Sequence, residues 1–553
     1  MYLIYNLMNS GQLLLISDLE GCAEKSPPTN GNIPQTTVLC QDSTFKAIHQ
    51  FLDRNPENKV AFLGDYFDKG PFVVNSINGI AGLLSDFPHD RVHIIVGNRD
   101  VNKLRLIYEL TLGKQTDLSE TDFWKPELIN GIINQPDTLE KLNLILGTTM
   151  GAKGTGLQIN TLSKENLETF KTRNISKDQY LAYVLLKAFN VKVAELFLNG
   201  KGIDDGDLQG EDKDFIKNCR VLFENAKIVH YDDKYKVLLS HAGGFTKTGA
   251  FILDNIQYYK NILTKLAETT TTANNYYSQI FVAQQELQKE PTNDYTKVDL
   301  NEVVDFHNNL FTKSLNFDAD KNAIPSEYFL LQAMGLNGSP NYYSFIASCG
   351  LNGSCQMDFN VNDALIEKLS QTGIQFVASG HQPHCTTVPL IYKQNTVVFI
   401  ANDTSNGYRP EDLINKLQLQ NIPLSFIGED ASCGVCSLDP TGSLIKASDE
   451  KGKQISALSQ DGKTQNYYEN LVKDYSDVSR VPTIEDIKKI LKSDSKPFQP
   501  LQVITQNDVT SNTIKGGKRR SKKYNKQSKL KKRSGKNTRK LKRKQRMKVN
   551  RKY

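Results

Sequence analysis

The chain has 553 residues, enough to bury a large core and to hold more than one structural unit. Its net charge of +7 is uneven: residues 515–553 hold 21 Lys and Arg and no acid, so residues 1–514 carry 47 basic and 61 acidic groups, a net charge of −14. Eight scattered cysteines argue against a disulfide framework and favour an intracellular, reducing compartment, the cytoplasm or nucleus. No run approaches the roughly 20 apolar residues of a membrane span.

Three apolar runs in the first hundred residues predict buried strands that lead into polar loops. Helical periodicity follows the loops, which favours a mainly parallel sheet with helices on its faces. The carboxyl ends of such strands usually carry the functional groups of an open α/β sheet. The three runs end in Asp18-Leu19-Glu20, in Gly64-Asp65-Tyr66-Phe67-Asp68-Lys69-Gly70 and in Gly97-Asn98-Arg99-Asp100.

Two later strand ends carry histidine. Residues 236–240 lead to His241, and residues 376–379 lead to Gly380-His381-Gln382-Pro383-His384. The other histidines match no motif and are predicted to be structural; they are His49, His89, His93, His230 and His307.

The long stretches between these strand ends have helical periodicity and are predicted to be insertions beside the site. A core is therefore interrupted twice and is followed by an extension and a disordered basic tail. The predicted core segments are 10–112, 231–249 and 366–450, the insertions are 113–230 and 250–365, the extension is 451–514 and the tail is 515–553.

Read in order, the strand ends are Asp-x-Glu, Gly-Asp-x-x-Asp-x-Gly, Gly-Asn-Arg-Asp, Ser-His-Ala and Gly-His-x-x-His. This order resembles the calcineurin-like metallophosphoesterases, whose pattern is Asp-x-His, Gly-Asp-x-x-Asp, Gly-Asn-His-Glu/Asp, a His and Gly-His-x-His. The resemblance covers residues 10–110, 231–249 and 372–450. It implies an α/β fold, a two-sheet sandwich with a dinuclear metal site at the strand ends.

The resemblance also implies the metal ligands. They are Asp18, Glu20, Asp65, Asn98, His241, His381 and His384. Asp65 would bridge two divalent ions; Mn²⁺ is favoured, with Fe, Zn²⁺ and Mg²⁺ as alternatives. Glu20 stands where the family has His, so it either binds a hard cation or faces away and leaves the first metal weakly held. His384 lies one residue later than the family's second His.

The predicted catalytic residues are Arg99, Asp68 and Asp100, and the predicted substrate contacts are Arg99, Lys69, Lys103 and Arg105. For the two lysines and Arg105, an ordinary solvated surface charge is an equal alternative. Asp68 is expected to orient Arg99, as the matching family Asp orients its His.

Arg99 replaces the family's His, which protonates the leaving oxygen. Arginine stays protonated in proteins, so it cannot serve as that acid, but it can hold a phosphate oxygen and stabilise developing charge. A phosphoanhydride or an aryl phosphate therefore fits better than a simple alkyl ester. The Gly-Asn-Arg-Asp form is similar to that of UDP-diacylglucosamine pyrophosphatases, which cleave an anhydride.

The function predicted is metal-dependent hydrolysis of a phosphomonoester or phosphoanhydride in a small molecule or phosphoprotein. One alternative is a catalytically impaired binding protein that kept the fold, which the Glu20 and Arg99 replacements would suit. Another is a protein Ser/Thr phosphatase, because Asp-Tyr-Phe-Asp-Lys-Gly at residues 65–70 resembles its Asp-Tyr-Val-Asp-Arg-Gly.

Residues 515–553 combine Lys and Arg with Gly, Ser and Asn, a composition that cannot bury enough surface to fold alone. Such a tail is expected to bind nucleic acid or another polyanion through charge. The alternatives are a nuclear-localisation signal, a solubilising tail, or a segment that folds back on the acidic body. Similar tails occur on proteins of large DNA viruses, so packaging in a particle is a further setting.

Overall fold

The computed structural model describes two β-sheets and the helices around them. The described residues are 11–17, 19, 45–46, 48–67, 73–110, 126–150, 164–189, 208, 210–243, 256–268, 275–287, 289, 299–315, 324–336, 344–346, 363–381, 390–401, 442–446, 454–458 and 471–475. The predicted tail, 515–553, lies outside them.

The first sheet contains seven strands among the described residues, in the order β12-β11-β10-β1-β2-β3-β4. The strands are β1 (Gln12–Ile16), β2 (Lys59–Phe62), β3 (Val92–Ile95), β4 (Ala226–Lys227), β10 (Gly442–Lys446), β11 (Gln454–Leu458) and β12 (Leu471–Tyr475). β1 to β4 pair in parallel, whereas β10 to β12 pair antiparallel beyond β1. Part of the segment predicted as an extension, 451–514, therefore belongs to this sheet.

The second sheet contains five strands in the described part of the chain, in the order β5-β6-β7-β9-β8. Its strands are β5 (Val229–Asp232), β6 (Val237–Ser240), β7 (Phe376–Ser379), β8 (Leu390–Gln394) and β9 (Val397–Ala401). β6, β7 and β9 run parallel, and β5 and β8 flank them antiparallel.

The two sheets face each other across a shared apolar core. Leu13 and Leu15 of β1 belong to this core, while Leu14 and Ile16 pack on the helix side, as the alternation of a strand requires. The core between the sheets also contains Ala61, Leu63, Ile95, Val237, Leu239, Phe376, Ala378, Val398 and Ile400. Because both faces are covered, the strands read as continuous apolar runs. The predicted α/β two-sheet sandwich is confirmed.

The helices pack on the outward-facing strand residues and on one another in one apolar cluster. They are α1 (48–54), α2 (Val73–Asp86), α3 (Asn98–Lys103), α4 (Leu106–Glu109), α5 (Pro126–Ile133), α6 (Thr138–Leu144), α7 (Lys164–Thr172), α8 (Lys177–Ala188), α9 (Gly210–Asn225), α10 (Ile256–Glu268), α11 (Tyr276–Leu287), α12 (Leu300–Leu315), α13 (Ser326–Gly335) and α14 (Asp363–Gln371). None of the described helices is both long and apolar enough to cross a membrane.

Residues of the second predicted insertion make hydrogen bonds to the backbone just after two of the strands. In α13, Gln332 is fully buried and donates from Nε2 to the carbonyl oxygen of Val101 in α3, at 3.1 Å. Behind β6, the backbone N–H of Ala242 donates to the carbonyl oxygen of Phe345, at 2.8 Å. The insertion thus fixes backbone next to Asn98 and His241.

A buried ion pair joins the turn after α3 to α4. Arg105 is fully buried and donates from Nε to Glu109 Oε1, at 2.7 Å, and from Nη1 to the carbonyl oxygen of Thr149, at 2.9 Å. Burial raises the pKa of Glu109, and the Arg105 charge opposes that rise. Glu109 therefore compensates the charge of Arg105 inside the protein. This argues against the predicted contact between Arg105 and substrate.

Arg105→Met should lower the free energy of unfolding by about 3–5 kcal/mol, because Glu109 would remain buried without its cation. Urea unfolding followed by circular dichroism measures this change. Lys171→Met is the matched control, since it removes the cation of the exposed Lys171–Glu168 pair and should cost less than about 1 kcal/mol. Equal losses in the two variants would show that the buried pair is not a stabilising contact.

Candidate metal centre

The structure describes eight of the residues predicted for the site. They are Asp65, Asn98, Arg99, Asp100, Lys103, Arg105, His241 and His381. The other predicted site residues, Asp18, Glu20, Asp68, Lys69 and His384, lie outside the described residues.

Four predicted ligands meet at the carboxyl ends of their strands. Asp65 follows β2, Asn98 follows β3, His241 follows β6 and His381 follows β7. His241 Nε2 lies 3.2 Å from Asp65 Oδ1 and 3.2 Å from Asn98 Oδ1. His381 Nδ1 lies 3.1 Å from Asn98 Oδ1 and 3.2 Å from His241 Nε2. All four residues are at most 8% exposed, so both sheets contribute to one buried cluster.

The ring of His241 is held in one tautomer. Its Nδ1 lies 2.6 Å from the carbonyl oxygen of Leu63, and because a carbonyl only accepts, Nδ1 carries the proton. Nε2 therefore presents its lone pair to the cluster. A carbonyl that fixes the far nitrogen in this way is typical of a metal-binding histidine.

The cluster brings acceptor atoms together. Asp65 Oδ1, Asn98 Oδ1 and His241 Nε2 face one another at 3.2 Å or slightly more. If the Asn98 amide is turned over, its nitrogen can donate to both oxygens of Asp65 at 3.3 Å and to both imidazoles. The cluster thus calls for an electropositive group at its centre, either this NH₂ or a cation. Carboxylate, amide oxygen and imidazole together suit a divalent transition-metal ion.

Asp100 ties the two loops of the first sheet to each other. Its Oδ2 accepts from the backbone N–H groups of Gly97, at 2.7 Å, and Asp65, at 2.9 Å. Its Oδ1 accepts from the backbone N–H of Tyr66, at 2.8 Å. Asp100 is fully buried, so its contacts lie with the protein backbone. The structure places Asp100 as a positioning residue for Asp65.

The loop backbone is strained where the ligands sit. Gly64 has φ +93°, and the non-glycine residues Asp65 and His381 have φ +54° and +68°. These left-handed conformations cost free energy and persist where surrounding contacts enforce them. The loops are also too close for a side chain at Gly97, since an added Cβ would lie 2.1 Å from Asp65 Oδ1.

The charges of the two carboxyl groups differ. Burial works to raise the pKa of Asp65, but positive charge around it, from His241 when its imidazole is protonated and from the Arg99 guanidinium, outweighs burial and holds the pKa below its usual range. Burial, with the charge of Asp65, raises the pKa of Asp100 to about 7 against the pull of the Gly97 and Tyr66 amides. Asp65 is therefore the anion that the cluster presents, and Asp100 is ionised less readily.

Arg99 is directed at Asp65. Its backbone N–H donates to Asp65 Oδ1, at 3.0 Å, and its Nε lies 3.3 Å from Asp65 Oδ2. The side chain is 19% exposed, so it borders the buried cluster and still reaches solvent. That Asp68 orients Arg99 stays a prediction, since Asp68 lies outside the described residues.

The sequence predicts Lys103 as a substrate contact or, alternatively, as a solvated surface charge. Like Arg105, it is fully buried. Burial of the Lys103 ammonium and the Arg105 guanidinium excludes the alternative of a solvated surface charge and argues against a contact between either residue and an incoming phosphate.

The structure also contains a polar group that no sequence motif indicated. His93, His230 and Asp232 place one ligand atom each within 4.8 Å of one another. In the sequence, both histidines lie inside apolar strand runs, and that interruption is the one sign that could have drawn attention to them.

The calcineurin-like phosphoesterase family model matches residues 12–195. No curated protein matches the chain. A solved structure of a mutant cold-active protein tyrosine phosphatase is similar at 13% identity and a TM-score of 0.33, covering 82% of this chain and 79% of its own. The protein tyrosine phosphatase of a psychrophile, Shewanella sp., is similar at 12% identity and a TM-score of 0.27, with the same coverage.

Gly97→Ala should weaken Co²⁺ binding by about 10-fold to 100-fold, because the new methyl group displaces Asp65. Isothermal titration calorimetry measures the affinity. The matched control is Gly82→Ala in α2, where an added Cβ meets nothing within 4 Å and should leave the affinity unchanged. Unaltered Co²⁺ binding by Gly97→Ala would show that the close approach of the loops does not shape the site.

Proposed function

We propose that this chain, whose residues 12–195 match the calcineurin-like phosphoesterase model, is a metal-dependent phosphohydrolase acting on a phosphomonoester or phosphoanhydride. The observation that supports this proposal is the cluster of Asp65, Asn98, His241 and His381, in which each residue lies 3.1 to 3.3 Å from at least two of the others. These residues come from four strands of two sheets, and they are far apart in sequence. Their convergence is what a shared cation requires.

The proposed cofactors are two divalent ions, with Mn²⁺ favoured and Fe, Zn²⁺ or Mg²⁺ as alternatives. Asn98, His241 and His381 would hold one ion, and Asp65 would be shared between that ion and a second. Asp18, Glu20 and His384 are the proposed additional ligands of that second ion. When bound, the two ions would polarise the phosphoryl group and make a water molecule more acidic.

Arg99 is proposed to hold the phosphoryl group of the substrate. Its guanidinium borders the ligand cluster, remains charged, and can donate to two oxygens at once. It does not give up a proton, so the leaving group must be stable as an anion. This reasoning favours an anhydride or an aryl phosphate over an alkyl ester.

Asp65→Asn should lower kcat/KM for Mn²⁺-stimulated hydrolysis of an aryl phosphate by at least about 1,000-fold, because the shared carboxylate is lost. Release of the phenolate, followed by absorbance, measures the rate. Asp233→Asn is the matched control, since this carboxylate is 81% exposed and the rate should stay unchanged.

Two outcomes would contradict the hydrolase proposal. Full turnover by Asp65→Asn would remove the mechanism. Wild-type chain that binds Mn²⁺ tightly but releases no phosphate from nucleotides, sugar diphosphates, phosphopeptides or aryl phosphates would point to the alternative, a binding protein with an impaired site.

We also propose that residues 515–553 bind nucleic acid or another polyanion. The 21 basic residues and the lack of any acid support this proposal. Each phosphate that the tail neutralises releases counterions, so binding should depend steeply on salt and little on base sequence.

A chain ending at residue 514 should lose at least about tenfold in affinity for double-stranded DNA at low salt. Fluorescence anisotropy at several salt concentrations measures the affinity and its salt dependence. The matched control is a full chain whose tail residues are shuffled, which keeps the charge and should bind as the wild type does. Equal DNA binding by the truncated and full chains would refute the role of the tail.

A further inference from the structure

A second cluster of polar side chains lies between the sheets, at the opposite end of the strands from Asp65 and His241. His93 lies beside Ala61 of the inter-sheet core, and His230 and Asp232 of β5 lie opposite Leu239 and Val237. Directly paired residues project from the same face of a sheet, so these side chains point into the space between the sheets.

The three side chains are close enough to share one ion. One ligand atom from each of His93, His230 and Asp232 lies within 4.8 Å of the others. His93 Nε2 is 3.7 Å from Asp232 Oδ2, and the two imidazole rings lie 4.2 Å apart between centroids. His93 is 4% exposed and Asp232 is 3% exposed, while His230 is partly exposed.

The nitrogen atoms are available as ligands. In the described part of the structure, His93 Nε2 is buried and meets no hydrogen-bond partner, which is a costly state for a polar atom. Burial lowers the pKa of His93, and burial, with the positive charge of Lys227 nearby, lowers the pKa of His230. Both rings are therefore neutral near pH 7, the form that binds metals.

The carboxylate is already held in place. Asp232 Oδ1 accepts a hydrogen bond from the backbone N–H of Tyr235, at 3.0 Å. Hydrogen bonds of this kind orient metal-binding carboxylates. Asp232 Oδ2 pairs with Lys59 Nζ, at 2.8 Å. Lys59 is 19% exposed and its chain is flexible, so its ammonium can move to solvent and yield its place to another cation.

We propose that His93, His230 and Asp232 form a second metal site, for Zn²⁺ or a similar transition-metal ion, and that Lys59 competes with the metal for Asp232. Two imidazoles and one carboxylate are a donor set that zinc commonly takes, with water as the fourth ligand. Ligand atoms around one zinc lie roughly 3.2–3.5 Å apart, so atoms that lie up to 4.8 Å apart must close by at most about 1.6 Å. Rotation of the partly exposed His230 ring supplies that movement.

The bound metal would link the two sheets, since His93 belongs to the first sheet and the other two ligands belong to the second. Its effect is thus on the stability of the sandwich and does not depend on the proposed hydrolase activity. The positive charges of Lys59 and Lys227 lower the affinity of this site for a metal ion. Removal of the Lys59 charge should raise that affinity.

The experiment is a Co²⁺ titration of the full chain carrying Asp65→Asn and His241→Asn, which disable the first centre. We expect visible absorption bands from one bound Co²⁺. Addition of Lys59→Met should raise the affinity at least about tenfold, and addition of His93→Gln or His230→Gln should lower it at least about tenfold. His49→Gln is the matched control, since His49 lies between two carboxylates on an exposed surface, and it should change nothing.

If the doubly substituted chain does not fold, the zinc content of other variants tests the same proposal. Elemental analysis of the wild-type chain after dialysis against Zn²⁺ should then give one equivalent more than that of His230→Gln. The proposal is overturned if Co²⁺ affinity is the same with and without His93 and His230, if Lys59→Met leaves it unchanged, or if the zinc contents are equal.

Discussion

One buried carboxylate determines the geometry of the strand-end centre. Asp100 accepts three backbone N–H groups, from Gly97 in its own loop and from Asp65 and Tyr66 in the neighbouring loop. These bonds hold Asp65 in a left-handed conformation that a non-glycine residue seldom adopts. In this conformation the carboxylate of Asp65 lies 3.2 Å from His241 Nε2 and 3.3 Å from the Asn98 amide. Without Asp100, the strands would still pair, but the loop of Asp65 would lose the two hydrogen bonds that tie its backbone to Asp100 in the neighbouring loop.

The strand ends could be predicted because a strand that is buried on both faces has an unbroken apolar sequence. A parallel strand under helices and over a second sheet must be apolar throughout, so the first polar residue after it marks the edge of the sheet. That reasoning located the strand ends that carry Asp65, Asn98, His241 and His381, and the family resemblance assigned these residues as metal ligands. The structure brings the four side chains together. Locating the strand ends in this way does not require knowing which strands are neighbours in the sheet.

Features that depend on long-range packing could not be predicted in this way. β10 pairs with β1 across more than 400 residues, and no local pattern encodes that partner. Arg105 and Glu109 are four residues apart, a spacing that the sequence shows, yet the same spacing is common on exposed helices. Only the helices of the insertions, which cover this turn, decide that the pair is buried. The sequence alone does not show this burial, so it could not exclude a substrate role for Arg105.

The two clusters show how the arrangement of similar side chains decides what they bind. In both, an aspartate meets histidine nitrogen atoms and a basic side chain. Arg99 approaches Oδ2 of Asp65 at 3.3 Å, which leaves Oδ1 facing His241 and Asn98. In the second cluster, Lys59 lies 2.8 Å from the same oxygen of Asp232 that is nearest to His93. The first centre can thus keep its basic side chain and receive a cation, whereas in the second the basic side chain and the cation need the same oxygen.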